Sequence, residues 1–529
     1  MVDKALIVNV QAMNKKYGAK GGAAVLAALR DLAKANKATG LATELIDISN
    51  AATMKKYKGK AVTTATSERQ AKDAVDAVYA AAMPDYLVLI DAPDVIPHLT
   101  LDNPVPKDKD PNVPSDLPYA SDAPFTSRDA AKYTAVTRVV GRIPGITGAE
   151  APDHLIKLIR ASAAFKSRPR KAYLPYFAIS AKVWSKSTQE SVDKIFESKA
   201  IKSCPSTGTP GVARLLKPLS HFFNCHGGEV DPQFYGQSGS RYPVAMTSAD
   251  VAKGAKANAI IAAECCFGAQ LFDPKWAQNK WPISNAYLQA GAIGFLGSTT
   301  TAYGPEEGNS GADLITQYWM IYALNKGASL GRACLQSRQD FVSGQKMEDP
   351  VNLKTLAQFL LLGDPSVTPC LSEASNGKVK SKGKGKSKSK SKSKSKSKAG
   401  AMSESDIDDA AARKTRRVAL TAAGKAAHDS SGFPGKKVRP GTNLQALVRK
   451  LANQRGMRAG ADDLEAFDIV GGDDYARQMK AHSVKQSVIV VTNHKRPSGK
   501  RPKGIPEIQV MVAHAQDNRL VRVAQYVRR

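Results

Sequence analysis

Several stretches of this chain are apolar without interruption, among them YLVLI at 86–90, AIIAA at 259–263 and FLLL at 359–362. A strand with one wet face alternates apolar and polar residues, so a strand that does not alternate must be covered on both faces. Such strands lie in the middle of mainly parallel sheets with helices packed on either side. Between these runs are segments with apolar residues at helical spacing, the order expected of successive βαβ units. Strands are expected over 5–10, 43–48, 86–90, 138–143, 172–179, 221–225, 259–263, 292–296 and 359–362, and helices over 22–35, 67–82 and 151–165. The fold class is α/β with a large, mainly parallel sheet flanked by helices.

That pattern stops near residue 370. From 378 to 398 lysine alternates with serine and glycine, giving eleven lysines and no acid. Such a segment repels itself and buries too little apolar area to offset its ordering entropy, so 371–402 reads as a solvated linker. Ahead of it lie an amino-terminal α/β subdomain over 1–165 and a second over 166–370. Behind it, 403–529 reads as a small basic α+β domain. Its expected elements are a helix over 406–427 capped by Ser403, a second over 443–454, a strand over 487–492, and a hairpin turning at Asp517–Asn518.

Composition narrows the setting. The 529 residues carry a formal charge of +30, and residues 399–529 hold 24 basic against 13 acidic side chains. The lysine run and the basic tail could bind nucleic acid or an acidic partner weakly through charge, but without an aromatic stacking platform a solvated basic surface is the simpler reading. No apolar run approaches the roughly 18 residues of a membrane helix, so no membrane partner is expected. MVDKALIVNV lacks the long apolar segment of a signal peptide. Six cysteines are too sparse for a disulfide scaffold. A cytoplasmic protein with free thiols is expected.

The stretch YGAKGGA (17–23) resembles a phosphate loop only in its glycines. It lacks the Gly-Lys-Ser/Thr ending and is expected to be a tight strand-to-helix connection. Two other places carry chemistry. In HFFNCHGG an apolar run ends at His226, followed by Gly227 and Gly228, and in AIIAAECCFG another ends at Glu264, Cys265 and Cys266. Ligands of open α/β sheets bind beyond the carboxyl ends of strands, where both segments deliver their side chains. If the strands are neighbours, an imidazole meets a thiol, the pair needed for nucleophilic acyl transfer. The flanking glycines would leave main-chain N–H groups open to an oxyanion. Cys225, His226, Cys265 and Cys266 are also four conceivable zinc ligands, but adjacent strand residues point to opposite faces and CxxC spacing is absent. No metal and no cofactor are expected.

Together the His-Gly and Cys motifs resemble the caspase and gingipain group of cysteine peptidases, clan CD, and the gingipain-like branch in particular. Further segments in the same order are similar to that branch: PDYLVLIDAPDVIP (84–97), SDLPYASD (115–122), VVGRIPGITGAEAPDHLIKLI (139–159), GAIGFLGSTTTAYG (291–304) and LLLGDPSV (360–367). The resemblance implies a caspase-like fold in two halves and peptide-bond hydrolysis. It also implies His226 as general base and acid, Cys266 or its neighbour Cys265 as nucleophile, and the N–H groups of Gly227 and Cys266 as oxyanion donors. Glu264, two before Cys266, is a candidate for the specificity pocket. In the arginine-selective members an acid follows the strand matching 172–179, whereas here AKVWSK offers Lys182, Trp184 and Lys186 first. The expected function is an intracellular cysteine endopeptidase acting on protein or peptide substrates. It would be regulated by its carboxy-terminal domain and would cut itself within the lysine-rich run. The competing reading is an inactive caspase-like binding module whose basic tail engages a partner.

Overall fold

A computed structural model describes residues 2–205, 211–305, 308–371, 410–457, 459–460, 463–482, 484–495 and 506–529. The expected lysine-rich linker and the Ser403 cap fall outside these residues. One ten-stranded sheet organises the first part of the chain. Its order is Thr43–Asp47, Lys4–Val8, Tyr86–Ile90, Val140–Ile143, Phe359–Gly363, Gly294–Ser298, Ile260–Ala263, Ser220–Asn224, Tyr176–Ala181, Lys202–Cys204. Every neighbouring pair is parallel except Gly294–Ser298 with Phe359–Gly363. That antiparallel seam joins two parallel halves of opposite direction. Both faces of the central strands are buried, as unbroken apolar runs require.

Each strand expected from the sequence is present, displaced by a few residues at its ends. Helices Glu68–Ala82 and Asp153–Ala164 also stand where periodicity put them, and the Ser67 side chain accepts from the Gln70 amide as an N-cap. One connection differs from expectation. YGAKGGA is not a link between strand and helix but lies within the helix Val10–Ala38. Asn9 caps the helix directly after the first strand, its Oδ1 accepting from Ala12 N at 3.0 Å. The glycine signal is spent on a kink, where Gly18 takes φ 69°.

The motif segments at 84–97, 115–122 and 139–159 converge on one buried cation. The Arg142 guanidinium donates to both carboxylate oxygens of Asp116 at 2.9 and 2.7 Å, and to the carbonyls of Asp91 and Ile96 at 3.0 and 2.8 Å. Burial alone would raise the Asp116 carboxyl, but Arg142 and His98 hold it below the usual carboxylate range. The Leu-Gly-Asp-Pro-Ser turn is anchored in the same way by buried Lys4, which pairs with Asp364 and donates to Ser366 Oγ at 3.0 Å.

The carboxy-terminal part is α+β, as expected. Helices Ala410–Asp429, Thr442–Gln454 and Asp473–His482 accompany the strands Gly432–Lys437, Leu464–Gly471, Gln486–Lys495, Glu507–Gln516 and Arg519–Arg528. The hairpin turns at Asp517–Asn518, both with positive φ. The two central strands are apolar on both faces, and period-two geometry sends alternate residues to opposite covers. Ile489, Val491, Met511 and Ala513 pack with Leu444, Val448 and Ala452 of Thr442–Gln454. Val488, Val490, Val510 and Val512 pack with Val105, Tyr303 and Val351 of the first unit. The sheet is completed from across the chain, because Tyr303–Pro305 pairs antiparallel with Arg519–Arg528 as its sixth strand. Among the described residues no helix is long and apolar enough to cross a membrane.

Candidate active site

Three adjacent parallel strands end side by side. Ala263 pairs in register with Phe223, and Asn224 with Ser180. Beyond those ends follow Glu264–Cys266, Cys225–His226, and the single turn Lys182–Trp184. The His-Gly and Cys segments are in backbone contact: a Cβ placed on Gly227 would lie 1.8 Å from the Cys266 carbonyl oxygen. Only glycine allows that approach. His226 enters a short antiparallel sheet through its pairing with Tyr235. Its ring lies 4.5 Å from that of Trp184 and 5.4 Å from that of Tyr242, and Nε2 shares a hydrogen bond of 2.6 Å with Gln237 Oε1. These four side chains line a cavity of about 220 Å³ beside Arg528.

The two adjacent cysteines face different surroundings. Cys265 points toward Cys225 in the interior, and burial pushes its thiol far up. Cys266 points to the strand end. Its Sγ accepts from Ala302 N at 3.2 Å and from Arg528 Nε at 3.4 Å, and its thiol donates to the Arg529 carbonyl. Burial raises the Cys266 thiol, while the Arg528 guanidinium and the Ala302 amide work against the rise by favouring the thiolate.

Beside Cys266 lies a closed pocket for a cation, and it contains Arg529. Arg529 Nη2 donates to both oxygens of Asp313 at 3.0 and 2.9 Å and to the Pro305 carbonyl at 3.2 Å. Its guanidinium carbon lies 4.6 Å from the centre of the Trp184 ring. Asp313 sits in the first turn of helix Ala312–Met320, where the helix dipole favours an anion, and Ser187 Oγ donates to it at 3.3 Å. Glu264 lies behind Asp313, with Thr316 Oγ1 donating to its Oε1 at 3.3 Å. Burial, and then the neighbouring Asp313 carboxyl, push the Glu264 carboxyl well above its ordinary range. Burial and Asp313 thus both favour the uncharged form of Glu264, and the carboxyl in contact with the guanidinium is that of Asp313.

The sequence-selected residues His226, Gly227, Glu264, Cys265 and Cys266 thus gather at one end of the sheet. Asp313 and the arginine pair carry no such signal in the sequence, and Trp184 stands out there only as a residue in the place of an acid. Asp313 sits 47 positions after Cys266 in a helix whose acid reads as an ordinary first-turn residue, and its one local sign is the preceding Gly311 at φ 56°. Among the described residues no group of histidine, cysteine and acidic side chains is placed to hold a metal ion.

Residues 22–370 match the model of peptidase family C25. No curated protein matches the chain. Among the solved structures similar to it are two at 12% identity each. One, described as "Structure of Protease", has a TM-score of 0.46, with 99% of this chain and 96% of that one covered. The other, the separase–securin complex of Saccharomyces cerevisiae, has a TM-score of 0.26, with 44% of this chain and 14% of that one covered.

Proposed function

The chain belongs to peptidase family C25, and from that premise we propose that it is a cysteine endopeptidase working through Cys266 and His226 and cutting after arginine. The observation that carries the reading is the thiol of Cys266 beside the carbonyl of an arginine whose side chain fills a pocket floored by Asp313. His226 takes the thiol proton, and the thiolate attacks the carbonyl carbon. The N–H groups of Gly227 and Cys266 stabilise the resulting oxyanion. As the C–N bond breaks, the imidazolium returns the proton to the leaving amine, leaving a thioester on Cys266. Water activated by His226 then releases the acid and restores the thiol. Asp313 and Trp184 select the arginine, with Glu264 as a support behind Asp313 and not the reader of charge. Cys265, turned toward Cys225, has no part in the chemistry.

The test pairs an arginine-directed irreversible thiol inhibitor with a peptide library. Mass spectrometry should find the adduct on Cys266, and Cys266→Ala should abolish cleavage while Cys265→Ala retains a measurable fraction. An adduct on Cys265 with activity lost in Cys265→Ala would move the nucleophile. Neither adduct nor cleavage, in wild type and in Arg529→Asp, which takes the arginine out of the pocket, would favour the inactive binding module. Self-processing within 378–398 does not follow from an arginine pocket, because that run holds lysine and no arginine; a cut there that is lost in Cys266→Ala would extend the pocket to lysine.

A further inference from the structure

Nothing in the catalytic scheme requires the protein's own Arg528 and Arg529 to lie on the thiol, yet they do. The segment reaches the cleft as an extended strand. Arg528 pairs with Tyr303, Val527 with Gly304 and Tyr526 with Pro305 in antiparallel register, and Arg529 N donates to the Ala302 carbonyl at 2.9 Å. This is strand addition to a sheet edge, in which main-chain hydrogen bonds hold the ligand and one side-chain pocket selects it. Arg529 occupies that pocket and is wholly buried, as are Cys266 and Asp313.

Arg528 makes the arrangement a blockade. Its Nε donates to the Cys266 sulfur at 3.4 Å and its Nη2 to the Gly227 carbonyl at 3.0 Å. The guanidinium therefore engages the nucleophile and bonds to the His-Gly backbone, a position that leaves no room for a second peptide. The hold is not confined to the tip. Tyr526 Oη donates to Asp349 Oδ2 at 2.6 Å, Thr492 Oγ1 donates to the Pro106 carbonyl at 2.6 Å, and the second apolar face of the same sheet is covered by the first unit.

We propose that the strand Arg519–Arg528 with Arg529 is an intramolecular inhibitor, occupying the substrate cleft as an arginine-bearing peptide and silencing the protease until the strand is displaced from Tyr303–Pro305. The proposal rests on the reading of Cys266 as the nucleophile of that cleft. A tethered ligand competes at an effective concentration in the millimolar range, so micromolar substrate meets a closed site. Release requires a partner or a cut that takes the strand away from Tyr303–Pro305.

The experiment compares the full-length wild type with Arg529→Asp and with Arg528→Ala. Two readouts are followed: the alkylation rate of Cys266 by an arginine-bearing chloromethyl ketone, resolved by mass spectrometry, and hydrolysis of a fluorogenic arginyl peptide. Arg529→Asp should raise both rates at least tenfold, because a carboxylate cannot enter a pocket floored by Asp313. Arg528→Ala should raise alkylation by a smaller factor. Added in trans, the synthetic peptide AQYVRR should slow both rates in Arg529→Asp. Equal rates in wild type and both variants would overturn the inhibitor and leave the peptidase standing. Faster alkylation without hydrolysis would uphold the strand's cover over Cys266 and overturn the peptidase reading on which its inhibitory role rests. A variant that unfolds gives no alkylation confined to Cys266, and circular dichroism identifies it; Arg528→Ala, which leaves the buried Arg529–Asp313 pair intact, then carries the comparison.

Discussion

Replacing Asp313 by asparagine tests the pocket most directly. The variant keeps the size and the hydrogen-bonding oxygen but removes the negative charge from two contacts of 2.9 and 3.0 Å. Both partners are wholly buried, so water cannot stand in for the lost carboxylate. Breaking one side of a buried ion pair costs about 3–5 kcal/mol. At about 1.4 kcal/mol per decade, that is a loss of roughly two to three and a half decades in kcat/KM for a peptide with arginine before the scissile bond. The same substitution also loosens Arg529, which opens the cleft and raises every rate. The assay therefore measures a ratio. Two peptides differ only in arginine against citrulline, its neutral isostere, and the open fraction cancels between them. The arginine preference should fall by about a hundredfold or more in Asp313→Asn. It should change less than about fivefold in Glu264→Gln, where a neutral hydrogen-bonding group replaces a carboxyl that burial and Asp313 shift toward its uncharged form. An unchanged ratio in Asp313→Asn, or the larger effect in Glu264→Gln, would refute the assignment.

Gly304→Ala would place a methyl about 2.1 Å from where the Arg529 Nε lies; added to Arg529→Asp, whose cleft is open, it should lower hydrolysis of arginyl peptides about tenfold or more, while iodoacetamide still alkylates Cys266. Arg142→Leu leaves the buried Asp116 carboxylate with the His98 hydrogen bond but no guanidinium and should cost about 3–5 kcal/mol in urea unfolding, a loss that Arg142→Leu with Asp116→Leu partly recovers. Burial pushes the Asp349 carboxyl up to about 6 against hydrogen bonds from Tyr526 and Val351 that favour its charged form. A carboxyl raised in the fold contributes stability below its unfolded value near 4 and loses it as pH rises through about 6, so Asp349→Asn should remove a fall of about 3 kcal/mol between pH 4 and 7. A wild-type melting curve flat across that window would show that Asp349 does not titrate in the fold.

The sequence by itself determined the sheet and half of the site. Unbroken apolar runs such as 86–90 and 259–263 can be satisfied only by cover on both faces, and a reactive residue at the end of such a run is delivered to one edge whatever the rest of the chain does. His226, Gly227 and Cys266 were legible for that reason. Adjacent cysteines could be separated only by position, because which of two successive side chains faces the cleft depends on how the strand end turns after Ala263. Glu264 was legible as an acid two positions before Cys266, but the direction of its shift was not, since the burial and the Asp313 carboxyl that raise it come from the fold. Tertiary structure alone decided the pocket and its occupant. Asp313, Trp184, Gly304 and Arg529 come from four separate segments, and no period or spacing links an arginine at 529 to an acid at 313. The doubly apolar strands at 486–495 and 507–516 announced that something must cover their second face. That the cover is the first unit, and that the neighbouring strand thereby lands on the Cys266 thiol, follows from which surfaces exclude water together. That choice is made by the folded chain as a whole, over separations of more than two hundred residues.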